Sequence, residues 1–156
     1  MTNTPAPVGT TALAVHECWR LLRTVSVGRL AVWVEDHPDI FPINFTVDHG
    51  TLVFRTGDGT KLGAVLGDTP VALEADGVDP ATGIAWSVVA KGAADAILGV
   101  TDVLDTAGLP LFPWEDGHKD HFIRITPTSV TGRRFKVAEP KRWWESMSAA
   151  PHASPE

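Results

Sequence analysis

The feature that most constrains this chain is how closely its turns follow one another. Three β-rich runs, at 29–35, 40–47 and 51–55, are separated only by Asp36-His37-Pro38-Asp39 and Asp48-His49-Gly50. Connections this short join antiparallel strands, because a parallel pair needs a crossover of about a dozen residues or more. The three runs are therefore expected to form an antiparallel meander. Further β-rich runs lie at 71–75, 86–94, 122–125 and 129–135, the last two broken at Thr126-Pro127. The pattern predicts a mainly β protein: a small barrel of about six antiparallel strands with a few short helices.

Helical spacing occurs first in the N-terminal part. Val15, Cys18, Trp19 and Leu22 fall at i, i+3, i+4 and i+7, so they share one helix face. Thr10 or Thr11 can cap this helix, which should end near Val25-Ser26, before Gly28. Short helices are also expected at 60–66 and 101–106, and a proline-containing loop with Trp114 at 109–119. A chain of 156 residues suits one domain. That domain is expected over 11–137, between flexible tails at 1–10 and 138–156, the latter turning to Ser, Ala and Pro.

Composition narrows the function classes. The net charge of −6 disfavours a nucleic-acid partner, whose phosphates need clustered Lys and Arg. Cys18 is the sole cysteine, which excludes an internal disulfide and a cysteine-rich zinc site and suits a reducing compartment. No apolar run nears the ~20 residues of a membrane span, and residues 1–11 lack the basic start of a signal peptide. The expected location is the cytoplasm, with no membrane association.

One stretch gathers cations against this acidic background. In Phe54-Arg55-Thr56-Gly57-Asp58-Gly59-Thr60-Lys61-Leu62 a strand ends, two glycines bend the chain and a helix begins. Arg55, Thr56, Thr60 and Lys61 surround the bend, where free helix N–H groups attract anions. It is not a Walker loop, which needs Gly-x4-Gly-Lys-Ser/Thr, so a kinase or ATPase is disfavoured. The residues alone serve equally as a phosphate seat or as an ordinary connection with solvated cations.

Two strands offer a flat surface. In Pro42-Ile43-Asn44-Phe45, Asn44 sits between apolar neighbours that point the other way, and its amide can hydrogen-bond a planar heterocycle. Pro42 cannot donate to a ladder and implies an edge, a bulge or a ligand-facing position. In Trp86-Ser87-Val88-Val89, Trp86 can cover a flat ligand and Ser87 can donate to a ring carbonyl. A surface Asn and a core Trp explain the same residues without a ligand. His118 and His121 are three apart but sit among loop residues, so no metal site is expected. Cys18, on the buried helix face, reads as an inert thiol.

Taken in order, these motifs resemble the pyridoxamine 5′-phosphate oxidase-like family, the FMN-binding split β-barrels. The likeness also includes Ser26-Val27-Gly28-Arg29-Leu30, Gly83-Ile84-Ala85 before Trp86, and Ile123-Arg124-Ile125-Thr126-Pro127 with Gly132-Arg133-Arg134-Phe135. It spans roughly residues 17–135. The resemblance implies a flavin-dependent oxidoreductase acting on a small organic substrate. Arg55, Thr56, Thr60 and Lys61 would hold the FMN phosphate. Pro42, Ile43, Asn44 and Phe45 would lie along the isoalloxazine, with Trp86 and Ser87 near the ring. It also implies a homodimer with cofactor at the interface, where Trp114 can contribute. The chain is shorter than true pyridoxamine phosphate oxidase and lacks recognisable basic residues for that enzyme's substrate phosphate. A general flavin reductase or oxidase is therefore expected. No acid–base constellation stands out, which suits chemistry carried by the cofactor. The alternatives are an F420 (deazaflavin)-dependent reductase, whose acidic tail Arg29, Arg133 and Arg134 can meet, and a non-catalytic flavin-binding or haem-handling module. A haem role would draw on His118 or His121.

Overall fold

In a computed structural model, residues 9–57, 60–98 and 121–137 are described, the side chains of 60–62 excepted. The elements run β1 (Thr10–Ala12), α1 (Val15–Leu22), β2 (Val27–Val34), β3 (His37–Asp48), β4 (Thr51–Thr56), α2 (Thr60–Val65), β5 (Val71–Asp79), β6 (Ile84–Ala96) and β7 (His121–Lys136). The sheet order is β1-β7-β4-β3-β2-β5-β6, and β6 also pairs with β7. Six strands thus close into an antiparallel barrel, and β1 adds to the edge of β7. The expected barrel is present, with one short strand more than the reading named.

Closure follows from alternation. In β2, Gly28, Leu30, Val32 and Val34 are buried while Arg29 and Trp33 are exposed. Leu30, Phe45, Leu52, Phe54, Leu73, Val88, Ile123 and Ile125 fill the interior. Phe45 and Phe54 face each other across β3 and β4. Burying each ring contributes roughly 1.5–3 kcal/mol. Cys18 and Leu22 of α1 close one side of this core, and α2 sends in Val65.

Several boundaries differ from the sequence reading. Thr10 and Thr11 belong to β1 and do not cap α1. Ala14 occupies the cap position, and its N–H donates to the Glu17 carboxylate at 3.3 Å. The helix ends at Leu22, short of Val25, and Val15 is 56% exposed, so Cys18, Leu21 and Leu22 form the buried face. His37, Pro38 and Asp39 lie in β3, because Glu35 takes a left-handed conformation (φ 52°) that reverses the chain over two residues. β5 runs on through Asp79, four residues past the β-rich run at 71–75. β7 is continuous through Pro127: opposite the Lys91–Gly92 step of β6 it carries one extra residue, Thr128, as a bulge. The expected helix at 101–106, the loop with Trp114, His118 and the C-terminal tail lie outside the described residues.

The barrel is open along one seam. β4 pairs with β3 only over Phe45–Asp48, so 37–44 has no described partner strand on the side away from β2. Phe45 N–H donates to Ser26 O at 3.0 Å. By alternation the nitrogens of Pro38 and Pro42 turn to the open seam, where a missing donor costs no ladder bond. The Ile40 N–H turns the same way and donates to the Asp39 carboxylate at 2.8 Å.

Candidate functional site

The seam brings two of the sequence motifs together. The β3–β4 ladder ends at Phe45 opposite Phe54. Continued one step, this register sets Asn44 opposite Arg55, both at outward positions of their strands, where β3 and β4 part. Arg55 is exposed, and its guanidinium lies 5.1 Å from the ring centre of Phe122 on β7. Such a contact holds a cation over an aromatic face. β4 ends at Thr56, and α2 starts at Thr60. Arg55, Thr60 and Lys61 are thus near one another along the chain at the point where Asn44 emerges.

At the other end of this hairpin the β3–β4 turn is tied to β7. Arg124 Nη1 donates to Asp48 Oδ2 at 2.8 Å and to Thr51 Oγ1 at 2.6 Å. The Arg124 hydrogen bond, followed by one from His49, holds the Asp48 carboxyl below its ordinary range.

Side-chain direction separates the candidates. Ile43 and Phe45 point into the core, so along this strand only their backbone can meet a ligand. Thr56 is 2% exposed and its hydroxyl donates to Gly57 O at 3.3 Å, so its side chain also turns inward. Pro42 and Asn44 share the outer face. The Asn44 row crosses the wall through Val27 of β2. The β2–β5 register, continued by two residues, sets Val27 beside Asp76, which pairs with Ser87 of β6. Three strand spacings put Ser87 about 14 Å from Asn44 along the curved wall. Ser87 Oγ accepts from Arg133 Nε at 3.3 Å.

Trp86, the neighbour of Ser87, faces the other way. Its indole packs against the core cluster and lies over Gly77, so a Cβ on Gly77 would come within 2.7 Å of Nε1. The structure therefore gives Asn44 and Arg55 outward positions at the end of the β3–β4 ladder, sets Ser87 on the same wall, and turns Trp86 to the barrel interior.

Sequence reading missed the ion-paired strip on this wall. Arg29 Nη1 lies 3.1 Å from Glu74 Oε2 and 3.3 Å from Asp76 Oδ1. Desolvation, then the nearby Asp76 carboxylate, push the Glu74 carboxyl up, against the pull of Arg29. The signal was available: Arg29, Glu74 and Asp76 all sit at outward positions of their strands. The three arginines named for an acidic tail do not line one groove. Arg29 is held by Glu74 and Asp76, Arg133 lies over Phe135 at 5.5 Å, and Arg134 opens on the other face. Among the described residues no group of three or more His, Cys, Asp or Glu is placed to hold a metal ion. No described helix is long and apolar enough to cross a membrane.

Comparison with known proteins agrees with this architecture. A Mycobacterium tuberculosis protein of unassigned function is 33% identical over 124 residues, covering 76% of this chain and 81% of the relative. The structure of an FAD-binding protein from Mycobacterium smegmatis matches with a TM-score of 0.69 and 38% identity, over 81% of this chain and 98% of the other. A Corynebacterium glutamicum structure provisionally assigned as a pyridoxamine 5′-phosphate oxidase matches with a TM-score of 0.73 and 33% identity, over 86% and 100%. The family model for pyridoxamine 5′-phosphate oxidase matches residues 14–134. With its split barrel and this match over most of its length, the chain belongs to the pyridoxamine 5′-phosphate oxidase family.

Proposed function

We propose that this protein is a flavin-dependent oxidoreductase that holds its cofactor on the outer wall of the barrel, with FMN as the first candidate. The observation that carries the reading is the end of the β3–β4 ladder at Phe45 and Phe54, past which Asn44 and Arg55 take outward positions shortly before α2. A flavin monophosphate is a dianion at one end and a flat heterocycle at the other. Arg55, Thr60 and Lys61 would hold the phosphate. α2 has only six residues, so charge from Arg55 and Lys61 matters more than its dipole. Asn44 and the 42–45 backbone would meet the polar edge of the ring, and Ser87 can donate from across the wall. Thr56 contributes backbone alone. The donor set fits the group: cations at one end, an amide and a hydroxyl on a β surface at the other.

When bound, the flavin supplies hydride or electron transfer to or from a small organic substrate. The chain's part is to orient the ring, fix its polar edge by hydrogen bonds and exclude water from one face. The FAD-binding relative from Mycobacterium smegmatis, 38% identical, supports a flavin and adds FAD as a second candidate. F420 draws less support, since Arg29 and Arg133 are already engaged and Arg134 faces elsewhere.

The same wall supports a homodimer. Trp33 and Ile40 are 51% and 65% exposed and lie with Pro38 and Pro42 on the outer face of β2 and β3. An apolar face of this kind beside the seam suits a second copy that would cover the ring.

Purified protein should be yellow, and chromatography of the cofactor released on denaturation should identify FMN, FAD or F420. Lys61→Ala and Arg55→Ala should each weaken flavin binding by about tenfold or more, the scale of a charge-assisted phosphate contact. A colourless protein that takes up neither FMN nor FAD would refute the proposal.

A further inference from the structure

The inner side of Trp86 opens on a cleft that the flavin reading does not use. It has a volume of about 490 Å³ and lies between the end of α1 and the start of β6. Leu21, Val25, Val78 and Ile84 supply apolar walls, with Trp86 and Arg134 among the other lining residues. This volume falls within the roughly 300–1,000 Å³ of small-molecule sites. Gly77, Trp86 and Arg134 form one row across β5, β6 and β7. The indole lies over Gly77, and Arg134 flanks it on the other side.

The polar atoms of the cleft fall into two groups. Those at the rim are occupied by local bonds. Thr24 Oγ1 donates to Leu21 O at 2.6 Å, Asp79 Oδ1 accepts from Ala81 N–H at 2.9 Å, and Thr82 Oγ1 accepts from Ile84 N–H at 3.3 Å. Two donors remain. Among the described residues the Arg134 guanidinium has no carboxylate or carbonyl partner, and Trp86 Nε1–H has no acceptor. Among the described residues no buried side-chain nitrogen or oxygen lacks a partner, so this N–H is open to solvent and not sealed in the core.

We propose that the cleft is a second ligand site, for a small planar aromatic carboxylate. The ring would stack against Trp86 between Leu21, Val25 and Ile84. The carboxylate would take the fork of Arg134, with the indole N–H as a further donor. A guanidinium presents paired N–H groups in the plane of a carboxylate, which a single-point cation does not. Asp79 at the rim disfavours a dianion. Trp86 and Ser87 are neighbours on opposite faces of β6, so this site is separate from the outer wall.

The test uses ¹⁵N-labelled protein as purified, with whatever flavin it carries, and 2-naphthoate as the probe. The Trp86 indole signal is assigned from Trp86→Phe. Naphthoate should shift that signal saturably, and Arg134→Gln should weaken binding about tenfold or more while flavin content stays unchanged. The neutral analogue 2-naphthalenemethanol should bind wild-type protein more weakly than naphthoate. That comparison needs no variant, so it holds even where Arg134→Gln folds poorly. An unmoved Trp86 signal, equal binding of acid and alcohol, or undiminished affinity in a folded Arg134→Gln protein would overturn the proposal. Loss of flavin from Arg134→Gln would also overturn it, by assigning Arg134 to the cofactor.

Discussion

Replacing Asp48 by Asn tests the tie that holds the β3–β4 turn against β7, at the end of the hairpin away from the proposed phosphate seat. Asp48 and Arg124 lie 2.8 Å apart, with side chains 21% and 30% exposed. A hydrogen bond to a charged group contributes about 1.5–3 kcal/mol when sheltered, and exposed ion pairs about 0–1 kcal/mol. Asn keeps the shape and one acceptor oxygen, so the substitution removes mainly the charge. Partial exposure then sets the loss at about 1 kcal/mol. In a domain of this size that lowers Tm by roughly 2–4 °C at pH 7. The pH dependence follows from the depressed pKa. The unfolded carboxyl titrates near 3.8, and the folded one lies lower because Arg124 and His49 bond to the ionised form. Its contribution is complete above the unfolded value and is lost as pH falls through the folded one. Thermal melts followed by circular dichroism at pH 7, 5, 4 and 3 should show the gap between wild type and Asp48→Asn closing at the acid end. Equal Tm values at pH 7, or a gap that persists unchanged to pH 3, would refute the argument.

Two further outcomes follow from the packing. A Cβ at Gly92 would lie 2.2 Å from Thr126 O, a backbone atom that cannot swing aside. Gly92→Ala should therefore destabilise by about 1–3 kcal/mol or more, measurable by urea titration, as expected for overpacking against fixed structure. Cys18 is fully buried, and burial raises its thiol pKa, with nearby Glu17 adding to the effect. Its reaction with a thiol reagent should wait on opening of the fold. An opening cost of about 3 kcal/mol slows labelling roughly 100-fold relative to protein in urea, and equal rates would show that α1 does not seal it.

The barrel was legible because its strands alternate and its turns are close, and both signals are local. Where the reading missed, a nonlocal partner decided. Asp76 to Asp79 carry turn residues, yet β6 pairs with each of them and extends β5. Pro38 resembles turn punctuation, but its nitrogen faces the seam, so it continues a strand at no cost in ladder bonds. Thr126-Pro127 resembles a break, and a bulge at Thr128 lets β7 stay paired with β6 on both sides of it. In the site, the outward phase of Asn44 was readable from its apolar neighbours Ile43 and Phe45. The inward turn of Thr56 was readable too, since it alternates with Arg55 and follows the phase of Phe54. Composition around the bend gathered both residues without regard to phase.

The bulge also decides which arginine serves which face of the barrel. Before it, Ile123 and Ile125 of β7 point inward. On β6, Val88 and Ala90 keep a single inward phase with Ala94 throughout. β7 carries one residue more than β6 around the bulge: Lys91 pairs with Ser129 and Gly92 with Pro127, leaving Thr128 over. That extra residue reverses the phase of everything after it, as any one-residue slip in a strand must. Arg134 therefore falls opposite Trp86 and lines the cleft, while Arg133 falls opposite Ser87 on the outer wall and donates to it. Without the bulge the two arginines would exchange faces. Arg133 would enter the core side and Arg134 would meet the wall. A glycine at 92 permits the close backbone approach at this point, so the division of the two faces depends on a residue that belongs to neither site.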